Sequence, residues 1–252
     1  MATRRDSILR EMGLAPLWRL RQRPALAEDA VTVGDSAIET PADSTPAAPG
    51  DAQGDARARR IAAMDWETLA TTVAGCRDCR LCEQRKQAVF GVGDVAADWL
   101  FVGEGPGAEE DERGEPFVGQ AGKLLDAMLA AIGLRRGRKV YIANVVKCRP
   151  PGNRTPQADE TAACFPYLQR QIELIAPKLI VALGKPAAET LLGTEVRIGA
   201  SRGRLFDCRG IPLVVTYHPA YLLRNLPDKA KAWEDLCFAR RVMKELDVAD
   251  GQ

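Results

Sequence analysis

Four short apolar runs organise the chain from about residue 65 onwards. They occupy residues 99–103, 139–146, 178–184 and 211–218, and segments with helical spacing of apolar residues lie between them. Near-continuous apolar strands that alternate with helices are typical of a parallel sheet covered on both faces. We therefore predict an α/β fold with a central, mainly parallel four-stranded sheet flanked by helices. Residues 204–215 add a hairpin that turns at Arg209-Gly210 and would make one edge antiparallel.

The first 57 residues differ from the rest. Residues 23–57 consist largely of Ala, Pro, Asp, Ser, Thr and Gly, so they bury too little apolar surface to offset their chain entropy. We predict a disordered, acidic Ala/Pro linker there. Residues 1–22 are a short amphipathic segment, either a helix that folds back onto the body or a peptide that docks a partner protein. The folded domain is predicted at 58–248.

Composition and charge exclude only a few classes of protein. The net charge is +1, and no run reaches the roughly eighteen apolar residues that a membrane span needs. The N-terminus lacks the apolar core of a secretory signal. The seven cysteines, an odd number, suit a reducing compartment, where disulfides are rare. We expect a cytoplasmic monomer with no membrane partner.

Unusual residues follow the ends of all four predicted strands. The loop "GEGPGAEED" follows the first strand, and Asn144 and "KCRPPGNR" close the second. Gly184 closes the third strand, and "HPAYLLRN" begins at the end of the fourth. Ligands of open α/β sheets bind at the carboxyl ends of the strands. We therefore expect these four loops to converge on one active-site rim.

Five cysteines have the spacing of a metal site. They are Cys76, Cys79, Cys82, Cys148 and Cys164. Thiolates at C-x2-C spacing suit zinc or an iron–sulfur cluster, and spacing alone does not separate the two. The predicted ligand set is Cys76, Cys79, Cys148 and Cys164, with Cys82 as a spare or an alternative ligand. The competing interpretation, free cysteines in a core, is the preferred one for Cys208 and Cys237.

Three long motifs carry a resemblance to a known family. The segments "GEGPGAEEDERGEPFVGQAGKLL", "NVVKCRPPGNRTP" and "HPAYLLRN", together with the cysteine pattern, are similar to the uracil-DNA glycosylases of family 4, the iron–sulfur type of bacteria and archaea. The resemblance runs from about Thr68 to Leu246. It implies a parallel sheet between helices and a structural [4Fe–4S] cluster on the four cysteines. It also implies that the protein removes uracil from DNA in base excision repair, leaving an abasic site.

The resemblance implies roles for residues of the first loop. Glu104 stands at the position of the family's proposed catalytic acid, in a loop similar to its water-binding motif. Gly105 stands where other uracil-DNA glycosylases have an aspartate. Glu110 resembles the side chain set near C5 of the base, which would reject the thymine methyl group. Phe117 resembles the aromatic residue that stacks on the flipped base.

Asn144 resembles the amide that reads the uracil edge, and His218 resembles the histidine at uracil O2. The residue types suit this chemistry by themselves. An amide has a donor and an acceptor, so it can pair with uracil O4 and N3–H, a pattern that cytosine reverses. A neutral histidine can donate to O2 while charge develops on the leaving base. A carboxylate such as Glu104 can orient water and stabilise a cationic sugar.

A last group of residues is expected to contact DNA. Basic side chains in "KCRPPGNR", namely Lys147, Arg149 and Arg154, are interpreted as phosphate contacts rather than as loop solubilisers. Residues in "HPAYLLRN" are candidates to fill the gap left by a flipped base and to hold phosphates. They are Tyr221, Leu222, Leu223 and Arg224.

Three other functions compete with uracil excision. A relative that crosslinks covalently to uracil-DNA would need a histidine near "VRIGASRGRLF", and the only histidine of this chain is His218. A glycosylase of broader specificity would also remove other deaminated bases, although Asn144 and Glu110 favour uracil. A non-catalytic DNA-binding protein would not need Glu104, Asn144 and His218 together.

Overall fold

The computed structural model describes residues 51–250, without the side chains of 51–53, 55 and 250. The predicted segment 1–22 and most of the linker lie outside the described residues. Strands and helices alternate along the described part. The strands are β1 Val92–Gly93, β2 Trp99–Gly103, β3 Val140–Asn144, β4 Leu179–Leu183, β5 Leu205–Cys208 and β6 Ile211–Thr216.

The described strands form one sheet of six strands, two more than predicted, in the order β1-β3-β2-β4-β6-β5. The four predicted strands are the inner β3, β2, β4 and β6, which all run parallel. The predicted hairpin is confirmed, because β5 pairs with β6 antiparallel. The other edge strand, β1, is also antiparallel; it has only two residues and therefore no apolar run that could reveal it.

Helices cover both faces of this sheet. They are α1 Asp51–Ala62, α2 Trp66–Gly75, α3 Ala108–Arg113, α4 Gln120–Ala131, α5 Ala158–Ile175, α6 Lys185–Leu192, α7 Ile198–Ser201, α8 Pro219–Arg224 and α9 Asp228–Asp250. Alternate strand residues point to opposite faces. Leu100 and Val102 accordingly pack with α1, α2, α5 and α6, whereas Trp99 and Phe101 pack with α4, α8 and α9. The prediction of an α/β fold with a covered sheet is confirmed.

Helix α1 spans the predicted boundary between the linker and the folded domain. Helix α1 begins at Asp51, so the predicted boundary between 57 and 58 falls inside it. Arg57, at the last position of the predicted linker, pairs with Asp78 at 2.7 Å and donates to the Ala163 carbonyl at 2.7 Å. The composition of 51–57 resembles the linker, but these long-range contacts hold the helix against the body.

The order of strands fixes where a ligand can bind. The first of the parallel strands, β2, lies in the middle of the sheet, and the chain then adds β3 on one side and β4 on the other. Such a reversal opens a crevice at the carboxyl ends of the strands. The last residues of β2 and β3, Gly103 and Asn144, lie side by side in register. No helix of the described part is both long and apolar enough to cross a membrane.

Candidate active site

A cavity of about 680 Å³ lies at the carboxyl ends of the parallel strands. All four loops that were predicted to converge contribute to its lining. The predicted catalytic and base-binding residues that line it are Glu104, Gly105, Glu110, Phe117, Asn144 and His218. The parallel strands end at one edge of the sheet, so loops from distant parts of the sequence meet there.

Asn144 is a fully buried polar residue in the cavity lining. The residue is 1% exposed, and within residues 51–250 neither the amide nitrogen nor the amide oxygen has a hydrogen-bond partner. Buried polar groups are nearly always paired, since an unmade hydrogen bond costs about 1–3 kcal/mol. An amide held in this state is ready to pair with a ligand that offers both an acceptor and a donor.

Gly103 makes room for this amide. A Cβ atom at position 103 would lie 2.5 Å from Asn144 Oδ1 and 2.6 Å from the ring of Phe117. Both distances are far below van der Waals contact. The glycine that ends β2 therefore allows the amide and the aromatic ring to approach the strand end from two sides.

His218 lies at the end of β6 as the N-cap of α8. Its Nδ1 accepts a hydrogen bond from the Ala220 N–H at 3.1 Å, which leaves Nε2 to carry the proton of a neutral ring. Burial, assisted by the positive charge of Arg224, lowers the pKa of His218 to about 4. The imidazole is therefore a neutral hydrogen-bond donor near neutral pH, as the residue type suggested.

Gly184 brings the end of β4 close to this histidine. Its φ angle is +91°, and a Cβ atom there would lie 3.0 Å from His218 Cβ. The Gly184 N–H also donates to the Thr216 carbonyl at 2.8 Å. This backbone contact joins the ends of β4 and β6 close to His218.

Glu104 is the first residue after β2 and lines the cavity half-buried. Burial raises the pKa of its carboxyl group, and a hydrogen bond with Thr155 partly offsets that rise. Its backbone carbonyl accepts from the Val146 N–H at 3.2 Å. The loops after β2 and β3 thus fix the carboxylate from both its backbone and its side chain.

Glu110 also lines the cavity, but its carboxylate serves the backbone of the loop. One oxygen accepts from the N–H groups of Val118 and Gly119 at 2.9 and 3.1 Å. The other accepts from the Gly107 N–H at 3.1 Å. These contacts tie the N-termini of α3 and α4 together, a role that the sequence motif did not reveal.

The Phe117 ring packs against the His218 ring in the lining of the cavity. The two ring centroids lie 5.5 Å apart, with 31° between the ring planes. The side chain is buried, and its backbone has a left-handed φ of +56°. An apolar ring and a neutral imidazole donor therefore lie next to each other in the cavity lining.

The residues predicted to contact DNA divide into two groups. Tyr221, Arg224 and Arg154 line the cavity mouth, and Leu223 is 40% exposed beside it. Arg149 lies near the rim, where its Nε donates to Asn153 Oδ1 at 2.7 Å. Arg154 forms a two-bond ion pair with Glu160 at 2.7 and 2.8 Å, so its guanidinium is largely committed within the protein.

Two of the expected DNA contacts are corrected by the fold. Leu222 is 1% exposed, because α8 turns it into the core between the outward-facing Tyr221 and Leu223. Lys147 is also 1% exposed. Its Nζ donates to the Asn144 carbonyl at 2.9 Å and to the side chain of Gln171. In both cases a residue in a promising motif points inward, away from any nucleic acid.

Lys185 is a cavity residue that sequence reasoning missed. It begins α6 directly after Gly184, and its side chain is half exposed at the cavity wall. A basic residue at a helix N-terminus adds its charge to backbone N–H groups that attract anions. Its position immediately after a strand-ending glycine was the available signal.

The five predicted metal-site cysteines line a second, smaller cavity between α2 and α5. The Arg85 guanidinium donates to Cys148 Sγ at 2.7 Å, and the Lys147 N–H donates to Cys164 Sγ at 3.2 Å. Within residues 51–250 no group of three or more His, Cys, Asp or Glu side chains is placed to hold a single metal ion.

The sequence is similar to several known proteins. A family model described as the uracil DNA glycosylase superfamily matches residues 90–237. The type-4 uracil-DNA glycosylase of Pyrobaculum aerophilum is 43% identical over 181 residues, which cover 69% of this chain and 92% of that protein. The type-4 enzyme of Thermotoga maritima is 45% identical over 183 residues, with 71% and 95% covered. A type-5 uracil-DNA glycosylase of Thermus thermophilus is 32% identical over 160 residues, with 51% and 73% covered.

Proposed function

The chain belongs to the uracil-DNA glycosylase superfamily, among its type-4 members, and we propose that it hydrolyses the N-glycosidic bond of uracil in DNA with the residues of the 680 Å³ cavity. One observation carries this assignment of residues. Among the described residues the Asn144 amide is buried with both polar atoms unpaired, and a ligand with the complementary donor and acceptor would satisfy it.

Base recognition would start from Asn144 and Phe117. Uracil presents O4 as an acceptor and N3–H as a donor on one edge, and the amide matches both. Cytosine presents the reverse pattern and would leave two buried groups unpaired. The Phe117 ring would lie against the face of the flipped base. The contacts of Glu110 with three backbone N–H groups support a positioning role for it beside the base.

His218 would stabilise the leaving base. As the glycosidic bond breaks, negative charge moves onto the pyrimidine and is largest near O2 and N1. The His218 ring is already neutral and holds its Nε2–H available, because Nδ1 is occupied by the Ala220 N–H. A fixed donor at the place where charge develops is an effective form of catalysis. The ring needs neither to gain nor to lose a proton for this task.

Glu104 would act on the opposite side of the bond. The departing base leaves a sugar with oxocarbenium character, which a nearby carboxylate stabilises and toward which it can orient a water molecule. Backbone and side-chain contacts to the loop after β3 hold Glu104 in place. Gly105 follows it without a side chain and leaves space for the sugar.

The rim would bind the DNA strand around the flipped nucleotide. The exposed Leu223 and Tyr221 are suited to fill the vacated position in the stack. Arg149, Arg224 and Lys185 are suited to hold phosphates. Opening the stack costs about a few kcal/mol and less at a mispaired base, so these contacts would favour uracil opposite guanine.

We propose that Cys76, Cys79, Cys148 and Cys164 hold a [4Fe–4S] cluster. The residues present fit such a group. Their cavity offers four thiol groups and two N–H donors to sulfur, which stabilise thiolates around a cluster. When bound, the cluster would supply iron–thiolate bonds that tie segment 76–79, the loop after β3 and α5 together.

The assignment is tested with a uracil-containing oligonucleotide followed by alkali. We expect strand cleavage at the uracil position and none in matched thymine and cytosine oligonucleotides. Asn144→Ala should lower kcat/KM by about 10–100-fold, the value of the lost buried hydrogen bonds. If the wild type cleaves the uracil oligonucleotide and Asn144→Ala cleaves it equally well, this use of the cavity is refuted.

The cytoplasmic location, the monomeric state and a protein partner for residues 1–22 stay predictions from the sequence.

A further inference from the structure

Phe117 has a backbone conformation that an aromatic residue rarely adopts. Its φ is +56°, in the left-handed region where a Cβ atom is crowded by the following carbonyl oxygen. Such conformations persist where the surrounding structure over-determines them, and they concentrate at functional sites. Contacts from neighbouring residues must therefore hold Phe117 in this conformation.

Arg136 supplies the main contacts from outside the cavity. Its Nη1 donates to the Pro116 carbonyl at 2.8 Å, and its Nη2 donates to the Phe117 carbonyl at 2.9 Å. The guanidinium is itself oriented by Asp126, whose Oδ1 accepts from Nε at 3.0 Å. A planar guanidinium with several fixed donors can bridge two consecutive carbonyl groups, which a lysine cannot do in the same geometry.

Two further contacts close the same turn. The N–H groups that follow Phe117 donate to Glu110. The Phe117 carbonyl packs against Gly122 so closely that a Cβ atom there would lie 1.7 Å from its oxygen. The turn is thus held on its carbonyl side by Arg136 and Gly122 and on its N–H side by Glu110.

Arg136 does not line the cavity and lies between α4 and β3, outside the three motifs that resemble the family. We propose that Arg136 is a positioning residue that holds the Phe117 ring in place for stacking on the flipped base. This inference rests on the proposed function. The clamp removes alternative orientations of the ring before DNA binds, so less conformational freedom is lost when the base enters.

The test is a double-mutant cycle that combines Arg136→Met with Phe117→Ala. In the wild-type background we expect Arg136→Met to lower kcat/KM on uracil-DNA by about tenfold, the order of a lost base–aromatic stack. In the Phe117→Ala background the same substitution should change kcat/KM by less than about twofold, because the ring that it positions is absent. Arg135→Met and Arg138→Met are matched controls at exposed neighbouring positions and should have no effect.

Two measurements separate positioning from general stability. Methylguanidinium added to Arg136→Ala should restore part of the activity and leave Arg135→Ala unchanged. If Arg136→Met does not fold, Arg136→Lys takes its place in the cycle, with the same two outcomes. Equal losses in both backgrounds, or no loss in either, would overturn the inference. A wild-type protein inactive on uracil-DNA would instead overturn the proposed function, and the same assay shows this directly.

Discussion

At the residue scale, the site depends on side chains whose polar atoms are available to a ligand. Asn144 keeps two unpaired polar atoms in a buried position, and His218 keeps a neutral ring with one free N–H. A ligand of the right chemistry can pair with both groups.

The shift of the His218 pKa predicts the shape of the pH–rate profile. A histidine at its ordinary value of 6.5 would lose the neutral form below that pH, but His218 has a pKa of about 4. Glu104 moves the other way, since burial raises its pKa above the ordinary 4.5. We therefore expect the acid limb of kcat/KM to follow Glu104 in the wild type and to move down to about pH 4, the pKa of His218, in Glu104→Gln. An inflection near pH 6.5 that disappears in His218→Ala would contradict this.

The lowered pKa of His218 also makes the stability of the fold depend on pH. The folded pKa of His218 lies below the unfolded value, so the unfolded chain binds the proton more readily. The contribution of His218 to stability is complete above about pH 6.5 and is lost as the pH falls towards 4. The melting temperature should therefore fall less between pH 7 and pH 4.5 in His218→Asn than in the wild type, because only the wild type has a histidine at this position that takes up a proton on unfolding.

Gly103→Ala tests the close approach at the end of β2. The added methyl group would collide with the Asn144 amide and the Phe117 ring, so we expect kcat/KM to fall by about 100-fold or more, as for a displaced reacting group. Circular dichroism should show an unchanged fold. Gly199→Ala is the control, because nothing lies within 4 Å of its added Cβ. An active Gly103→Ala protein would show that the amide and ring need not occupy these positions.

At the element scale, helix α8 separates two adjacent leucines. Its N-cap His218 sets the phase of the helix, so Leu222 faces the core and Leu223 faces solvent. The two residues have the same chemistry and neighbouring positions in one motif. They therefore make a natural pair of variants in which stability and DNA binding respond separately.

We expect Leu222→Ala to lower the free energy of unfolding by about 2–5 kcal/mol, the usual cost of a cavity in a core. Leu223→Ala should leave stability within about 0.5 kcal/mol and lower kcat/KM on duplex DNA more than on single-stranded DNA, since only the duplex leaves a gap in the stack. Chemical denaturation and the two substrates measure both effects. Equal losses of stability would mean that Leu223 is not a surface residue of α8.

At the scale of the whole molecule, α1 contacts the segment that carries the first two proposed cluster ligands, Cys76 and Cys79. Arg57 pairs with Asp78, and Asp78 also accepts from the Tyr167 hydroxyl at 2.9 Å beside Cys76. The helix therefore covers the loop that carries the first two predicted ligands. The predicted linker ends earlier than its composition suggests.

This contact makes two truncations differ. Deleting residues 1–50 should leave the visible absorbance of the proposed cluster and the iron content unchanged. Deleting 1–57 removes Arg57, so we expect iron to be lost several-fold faster on incubation with a chelator. Arg57→Met in the full chain should reproduce the faster loss, whereas Arg59→Met, at an exposed position, should not. Equal rates for both truncations would show that α1 does not protect the site.

Much of the fold was predictable because local patterns carried it. The four inner strands of the sheet are near-continuous apolar runs, and the turn at Arg209-Gly210 indicated the hairpin. The convergence of Glu104, Asn144 and His218 followed from one rule, that parallel strands end at one edge. The edge strand β1 was missed, because two residues carry no period. The helix α1 was missed in part, because its composition matches the linker before it.

The sequence by itself determined the alternation of strands and helices, the motif residues at the strand ends and the family, since these depend on residue type and order along the chain. The tertiary structure alone decided which side chains of a motif face the cavity. Lys147 and Leu222 turn inward, Arg154 pairs with Glu160, and Arg136 reaches back to Phe117. Each of these outcomes depends on contacts between elements, and the direction of a side chain is fixed only when those elements have packed.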